Sequence, residues 1–143
     1  MPEIPEMEIY KNYLNQWVKN KKITQVNVLR WQSINLESPV FRTQVMNKQI
    51  REIERQGKYL IFHLDGPNYL LTHMMLDGRL FYVRGEEVIN RSIELQTSAE
   101  DLKEMIKDLP GKPSVVFQLD DGSMLYFCNL TLGYLHYLSE DEL

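Results

Sequence analysis

YLIFHLDGPNYLLTHMMLDGRLFYV, residues 59–83, reads at a period of two, with turn residues between its apolar runs. Successive side chains of a strand point to opposite faces, so this period belongs to β structure with one face buried. Gly66-Pro67 separates YLIFHLD (59–65) from YLLTHMM (69–75), and Asp77-Gly78 precedes the next apolar run. Both pairs read as turns. Working outward, Ile23, Val26 and Val28 mark one earlier strand and Ile50 to Glu54 another. In QLDDGSMLYF (118–127), Asp121-Gly122 is a third hairpin signal.

Two stretches depart from that period. From about Pro5 to Asn20, Tyr10, Tyr13, Leu14, Trp17 and Val18 fall on one helical face. Glu6 and Glu8 sit in its first turn, and Lys19, Lys21 and Lys22 at its end, where each sign suits the helix dipole. TSAEDLKEMIKDLPG (97–111) opens with Thr97 and Glu100 at capping-box spacing and stops at Pro110-Gly111. The order of elements predicts a mainly β protein with two helices, a β-sandwich or barrel flanked by an N-terminal and an internal helix.

The chain has 143 residues, 43% apolar and 25% charged, enough for one domain with a sizeable core. No apolar run approaches the ~20 residues that span a bilayer. The acidic, polar start does not read as a secretory signal, so a cytoplasmic location is expected. Cys128 is the only cysteine, which excludes an internal disulfide and a multi-cysteine zinc site. His63, His73 and His136 are scattered and predict no metal site. The net charge of −4 gives no global attraction for nucleic acid, so any such binding needs a local patch or a further domain.

The chemistry lies at the start, MPEIPEMEIY. Methionine before proline is usually removed, which leaves Pro2 with a terminal secondary amine. Its pKa is expected near the α-amino range of about 7.7–8.0, so a useful fraction is an unprotonated nucleophile. Such an amine attacking a sugar C1′ gives a cationic iminium, an electron sink for β-elimination of the attached phosphate. Glu3, beside it, is placed to move protons at the sugar.

MPEIPEME closely resembles the MPELPEVE start of the formamidopyrimidine-DNA glycosylase/endonuclease VIII family of repair enzymes. RQGKYLIFHLDG and LLTHMMLDGRL resemble the family's GKYL and HLGMSG-L segments, in the right order over most of the chain. The resemblance implies a single N-terminal catalytic domain over 1–143, built as a two-sheet β-sandwich with two helices. It implies Pro2 as the Schiff-base nucleophile, Glu3 as general acid/base, and Glu6 as a residue holding the active site. Lys58 and His73 would contact DNA phosphates. Leu76, standing where the family has the methionine of HLGMSG, would be an apolar wedge at the flipped nucleotide. The implied partner is double-stranded DNA with damaged bases or abasic sites, and no cofactor is expected in this chain.

The pattern also departs from the family. Its C-terminal half, a helix–two-turn–helix domain with a zinc finger that would hold any zinc, is missing from these residues. CNLTLG (128–133) stands where the family has DPRRFG and carries no arginine. A retained Met1 would lock the Pro2 nitrogen in an amide. The alternative is therefore a non-catalytic DNA- or protein-binding module on the same scaffold.

Overall fold

The computed structural model describes residues 4–75, 78–84, 87–88, 113–139 and 141, with the backbone alone at Ile4, Glu6, Glu87 and Val88. Its helices are α1 (Ile4–Trp17) and α2 (Ser38–Val45), with a 3-10 turn at Trp31–Ser33. The strands are β1 (Ile23–Val28), β2 (Ile50–Gln56), β3 (Tyr59–Leu64), β4 (Asn68–His73), β5 (Arg79–Arg84), β6 (Glu87–Val88), β7 (Pro113–Leu119), β8 (Met124–Cys128) and β9 (Tyr134–Ser139). They form two antiparallel sheets, one in the order β1-β7-β8-β5-β6 and the other β2-β3-β4-β9. This is the two-sheet sandwich expected from the sequence.

The period of two does the sorting. Leu60, Phe62 and Leu64 of β3 face inward, as do Leu125 and Phe127 of β8. Phe127 bridges the layers, with its ring 5.8 Å from Phe62 and 5.2 Å from Phe117, both edge to face. That geometry suits the aromatic quadrupole.

Three hairpins close as their turn residues dictate. Gly57 takes φ +59 as the first of the two residues between β2 and β3, a left-handed conformation in which glycine has no Cβ to clash. Gly66 lies between β3 and β4, and Gly122 ends the β7–β8 turn, both at φ +85. Asp77-Gly78 is different. β4 and β5 belong to different sheets, so the expected hairpin is instead a crossover between layers. Asp77 lies outside the described residues. A Cβ on Gly78 would sit 2.4 Å from the Met74 carbonyl oxygen, so the chain crosses where no side chain fits.

Of the two predicted helices, α1 is present, and residues 97–111 lie outside the described residues. The second described helix, α2, was not expected. Pro39 starts it, and Phe41 and Val45, one turn apart, are its buried residues. The helix ends at Trp17, so Lys19, Lys21 and Lys22 lie beyond its last turn and not within it. Lys21 pairs with Asp121 at 2.7 Å and donates to the Tyr82 hydroxyl at 2.8 Å, tying the end of α1 to the β7–β8 turn. Burial pushes the Asp121 carboxyl up, but the Lys21 ammonium and the Ser123 hydrogen bonds outweigh it and hold the group at about 2. That stabilisation is complete above the carboxyl's ordinary value and is lost as pH falls through about 2.

Both edges of the four-stranded sheet are closed by an asparagine amide. Asn15 of α1 donates to the Ile53 carbonyl at 2.7 Å and accepts from the Ile53 amide at 2.9 Å. Asn35 does the same to Tyr137 of β9, at 2.9 Å in each direction. Each side chain stands in for the next strand of the ladder. The Asn15 bonds are partly buried and the Asn35 bonds are open to water.

Water can replace only the second pair. Asn15→Ala is therefore expected to cost about 1–3 kcal/mol in urea unfolding, and Asn35→Ala clearly less. Equal costs would show that the amide pairing does not set the edge.

Candidate nucleic-acid interface

The strand termini decide which residues meet. At one end of the sandwich lie the β2–β3 turn, the end of β4, the starts of β5, β7 and β9, and the ends of β1 and β8. The register places Gln56 beside Tyr59, Tyr59 beside His73, His73 beside Tyr134, and Cys128 beside both Arg79 and Pro113. Lys58 and His73, far apart in sequence, are thereby brought together.

His73 is held closely. Its Nδ1 accepts the Met75 amide at 3.1 Å, which leaves the proton on Nε2 as an outward donor. Met75 takes φ +54 to make that bond. The Tyr59 ring meets the imidazole edge to face at 4.7 Å, and Tyr134 lies beyond at 6.2 Å. Burial pushes the His73 pKa below its ordinary 6.5, and the Lys58 ammonium pushes it further down. Both effects favour the neutral imidazole, whose Nε2 proton remains a hydrogen-bond donor.

The segment CNLTLG forms the floor of this end. Asn129 turns the chain at φ +59, and Leu130 is fully buried, with its carbonyl accepting from Ser33 and its amide donating to Ser114 Oγ, both at 3.0 Å. A Cβ on Gly133 would lie 2.3 Å from the His73 carbonyl oxygen. Cys128 is buried beneath, and burial drives its thiol up to about 12, so it is inert.

The start of α1 reaches the same end. Glu8 pairs with Arg55 at 3.3 Å, Asn15 with Ile53, and the Asn20 amide with the Ile50 carbonyl, so α1 runs antiparallel to β2. From Glu8 back to Ile4 the helix advances about 6 Å towards Gly57 and Lys58. Pro2, Glu3 and Leu76 lie outside the described residues, as does the Glu6 side chain.

This end holds Arg30, Lys58 and Arg79, and the start of α1 brings Glu8 towards it, paired with Arg55. Arg30 was not foreseen, because no motif marks it. Away from this end, Glu52, Glu54 and His63 converge with ligand atoms within 4.8 Å of one another, and His63 Nε2 lies 2.9 Å from Glu54. The exposed cross-strand register of β2 and β3 brings them together, which sequence spacing did not suggest. Among the described residues no helix is long and apolar enough to cross a membrane.

The family model for the formamidopyrimidine-DNA glycosylase N-terminal domain matches residues 1–131. The chain belongs to this family. A formamidopyrimidine-DNA glycosylase from Wolbachia of Brugia malayi is 34% identical over 132 residues, covering 90% of this chain and 48% of the relative. One from Mycoplasma genitalium is 31% identical over 128 residues, covering 89% and 38%. This chain thus spans half the length of such relatives or less. The Lactococcus lactis Fpg crystallised with abasic-site DNA shares the fold, with a TM-score of 0.72 at 20% identity over 98% of this chain and 45% of that one.

The electrostatics of His73 give a test. In an NMR titration of the free chain, His73 should titrate below 6.5, and Lys58→Met should move it part of the way back up. Folding stability from this group is complete above 6.5 and falls as pH drops, because the unfolded chain takes the proton first. An unchanged His73 titration in Lys58→Met would separate the two side chains.

Proposed function

We propose that this chain is the N-terminal catalytic domain of a bifunctional DNA glycosylase/AP lyase of base-excision repair, acting in the cytoplasm on oxidised bases. One observation carries the reading. The pairing of α1 with β2 directs the chain start to the end of the sandwich where Lys58 and His73 meet. The family match and the names of the relatives support it.

The chemistry follows from a freed Pro2. Its nitrogen lone pair forms a bond to C1′ of an extruded nucleotide, and the C1′–base bond breaks as the base leaves with a proton. Ring opening gives the iminium. Loss of a C2′ proton then feeds electrons into that sink, and the 3′ C–O bond breaks with the phosphate as leaving group. Glu3 supplies and removes these protons, while Lys58 and the Nε2 proton of His73 hold flanking phosphates. Glu6 steadies the start of α1, and Leu76 fills the space the nucleotide vacates. No step requires a cofactor. The partner is duplex DNA with damaged bases or abasic sites, and binding by this half-length chain is weak.

Borohydride trapping on an abasic-site duplex tests the mechanism. Chain confirmed by mass spectrometry to lack Met1 should form a covalent adduct, and chain retaining Met1 should form none. Pro2→Gly keeps a primary amine and should give only a weak adduct. Trapping that is equal with and without Met1, or absent in both, would leave a non-catalytic binding module as the better reading.

A further inference from the structure

Tyr59, His73 and Tyr134 are neighbours in register on three adjacent strands, β3, β4 and β9. The two tyrosines thus stand two strand spacings apart, about 10 Å. Their hydroxyls are nevertheless hydrogen-bonded to each other. The two side chains therefore lean together across the imidazole, the Tyr59 ring edge to face with it at 4.7 Å and the Tyr134 ring at 6.2 Å. Tyr134 is itself held in place. His136 stacks on it at 4.3 Å, and its carbonyl accepts from Thr72 Oγ1 at 2.7 Å. Gly133, just before it, lies so close to the His73 carbonyl that no side chain fits between.

Tyr59 is 39% exposed, so water could serve the hydroxyls and their mutual bond adds little to folding. What the bond does is close an arch over a side chain that can donate to an anion. Burial, together with the bond to Tyr59, pushes the Tyr134 phenol up to about 12, so it stays a neutral hydroxyl at physiological pH. We propose that Tyr134, through its hydroxyl bond to Tyr59, is a positioning residue for the phosphate contact of His73. The arch holds the imidazole plane, keeps Nδ1 on the Met75 amide at 3.1 Å and so leaves the Nε2 proton for a phosphodiester oxygen. An imidazole loose in its rotamer would lose the alignment that a hydrogen bond needs. This deepens the DNA reading given above and rests on it. Position 134 lies beyond residue 131, where the family match ends, and only the β4–β9 register brings it to His73.

The test uses the 143-residue chain and a labelled duplex with one abasic site, read by fluorescence anisotropy. Tyr134→Phe removes one oxygen and keeps the ring against His136. It should weaken binding about threefold to tenfold, the scale of one aligned hydrogen bond, with urea unfolding nearly unchanged. In a His73→Ala background the same substitution should weaken binding no further, since nothing remains to position. In the free Tyr134→Phe chain the His73 NMR titration should move up towards its ordinary 6.5, because the opened arch admits water. Undiminished affinity in Tyr134→Phe, an equal loss with and without His73, or an unmoved His73 titration overturns the positioning role. If His73→Ala still weakens binding in those cases, the glycosylase reading stands. No binding by the wild-type chain, or none lost in His73→Ala, removes the phosphate contact and the part of Tyr134 in it together.

Discussion

The pairing of one helix side chain with one edge-strand residue organises this molecule. Asn15 bonds both the amide and the carbonyl of Ile53, so α1 cannot slide along β2 without breaking two hydrogen bonds at once. A helix packed by apolar contacts alone could shift or tilt, because apolar contact has little direction. The amide pair fixes the register, and Glu8–Arg55 fixes the sense of direction. The position of the chain start relative to Lys58 follows from these two contacts. The same pairing hides an edge strand that would otherwise offer its backbone to another sheet.

Charge pairs are spread along the sandwich axis. Lys21–Asp121 lies at the β7–β8 turn, and Asp65 accepts the Gln49 amide between β2 and β3–β4, both at the end away from Lys58. Glu52 and Glu54 line the outer edge at β2. A strand of six residues spans about 20 Å. That is roughly twice the distance over which salt screens exposed charges in the cell. Lys58 is therefore screened from the Lys21–Asp121 pair at the far end.

Much of the fold was legible in the sequence because burial imposes the period of two directly. The β3–β4 and β7–β8 turns were named by glycines that must take positive φ. Asp77-Gly78 carried the same signal but misled, since a glycine needed for close approach to Met74 looks identical in sequence to one needed for a hairpin. The eight-residue α2 went unseen because it buries only Phe41 and Val45, too few positions to establish a helical period. At the site, Lys58 and His73 were found only through a family pattern. Their meeting depends on the Tyr59–His73 register, which no local signal encodes. Arg30 was invisible for the same reason: its place at this end is set by its amide bond to Ser114, distant in sequence.

The CNLTLG segment shows why a local substitution cannot be judged by side-chain chemistry alone. Leu130 occupies the core beneath the site, and its amide and carbonyl are both committed. A charged residue there would be desolvated without compensation, so position 130 cannot serve as a probe of DNA in this packing. Gly133 lies against the His73 backbone so closely that any side chain would displace the imidazole support. The loop is thus shaped by what lies beneath it, and Thr131 and Leu132 alone are free to face outward. Losing a cation from such a loop need not empty the surface of cations, because the fold places a second loop against it. What that surface presents is set by the two loops together, because Ser33 and Ser114 fasten the 128–133 loop to residues 29–33.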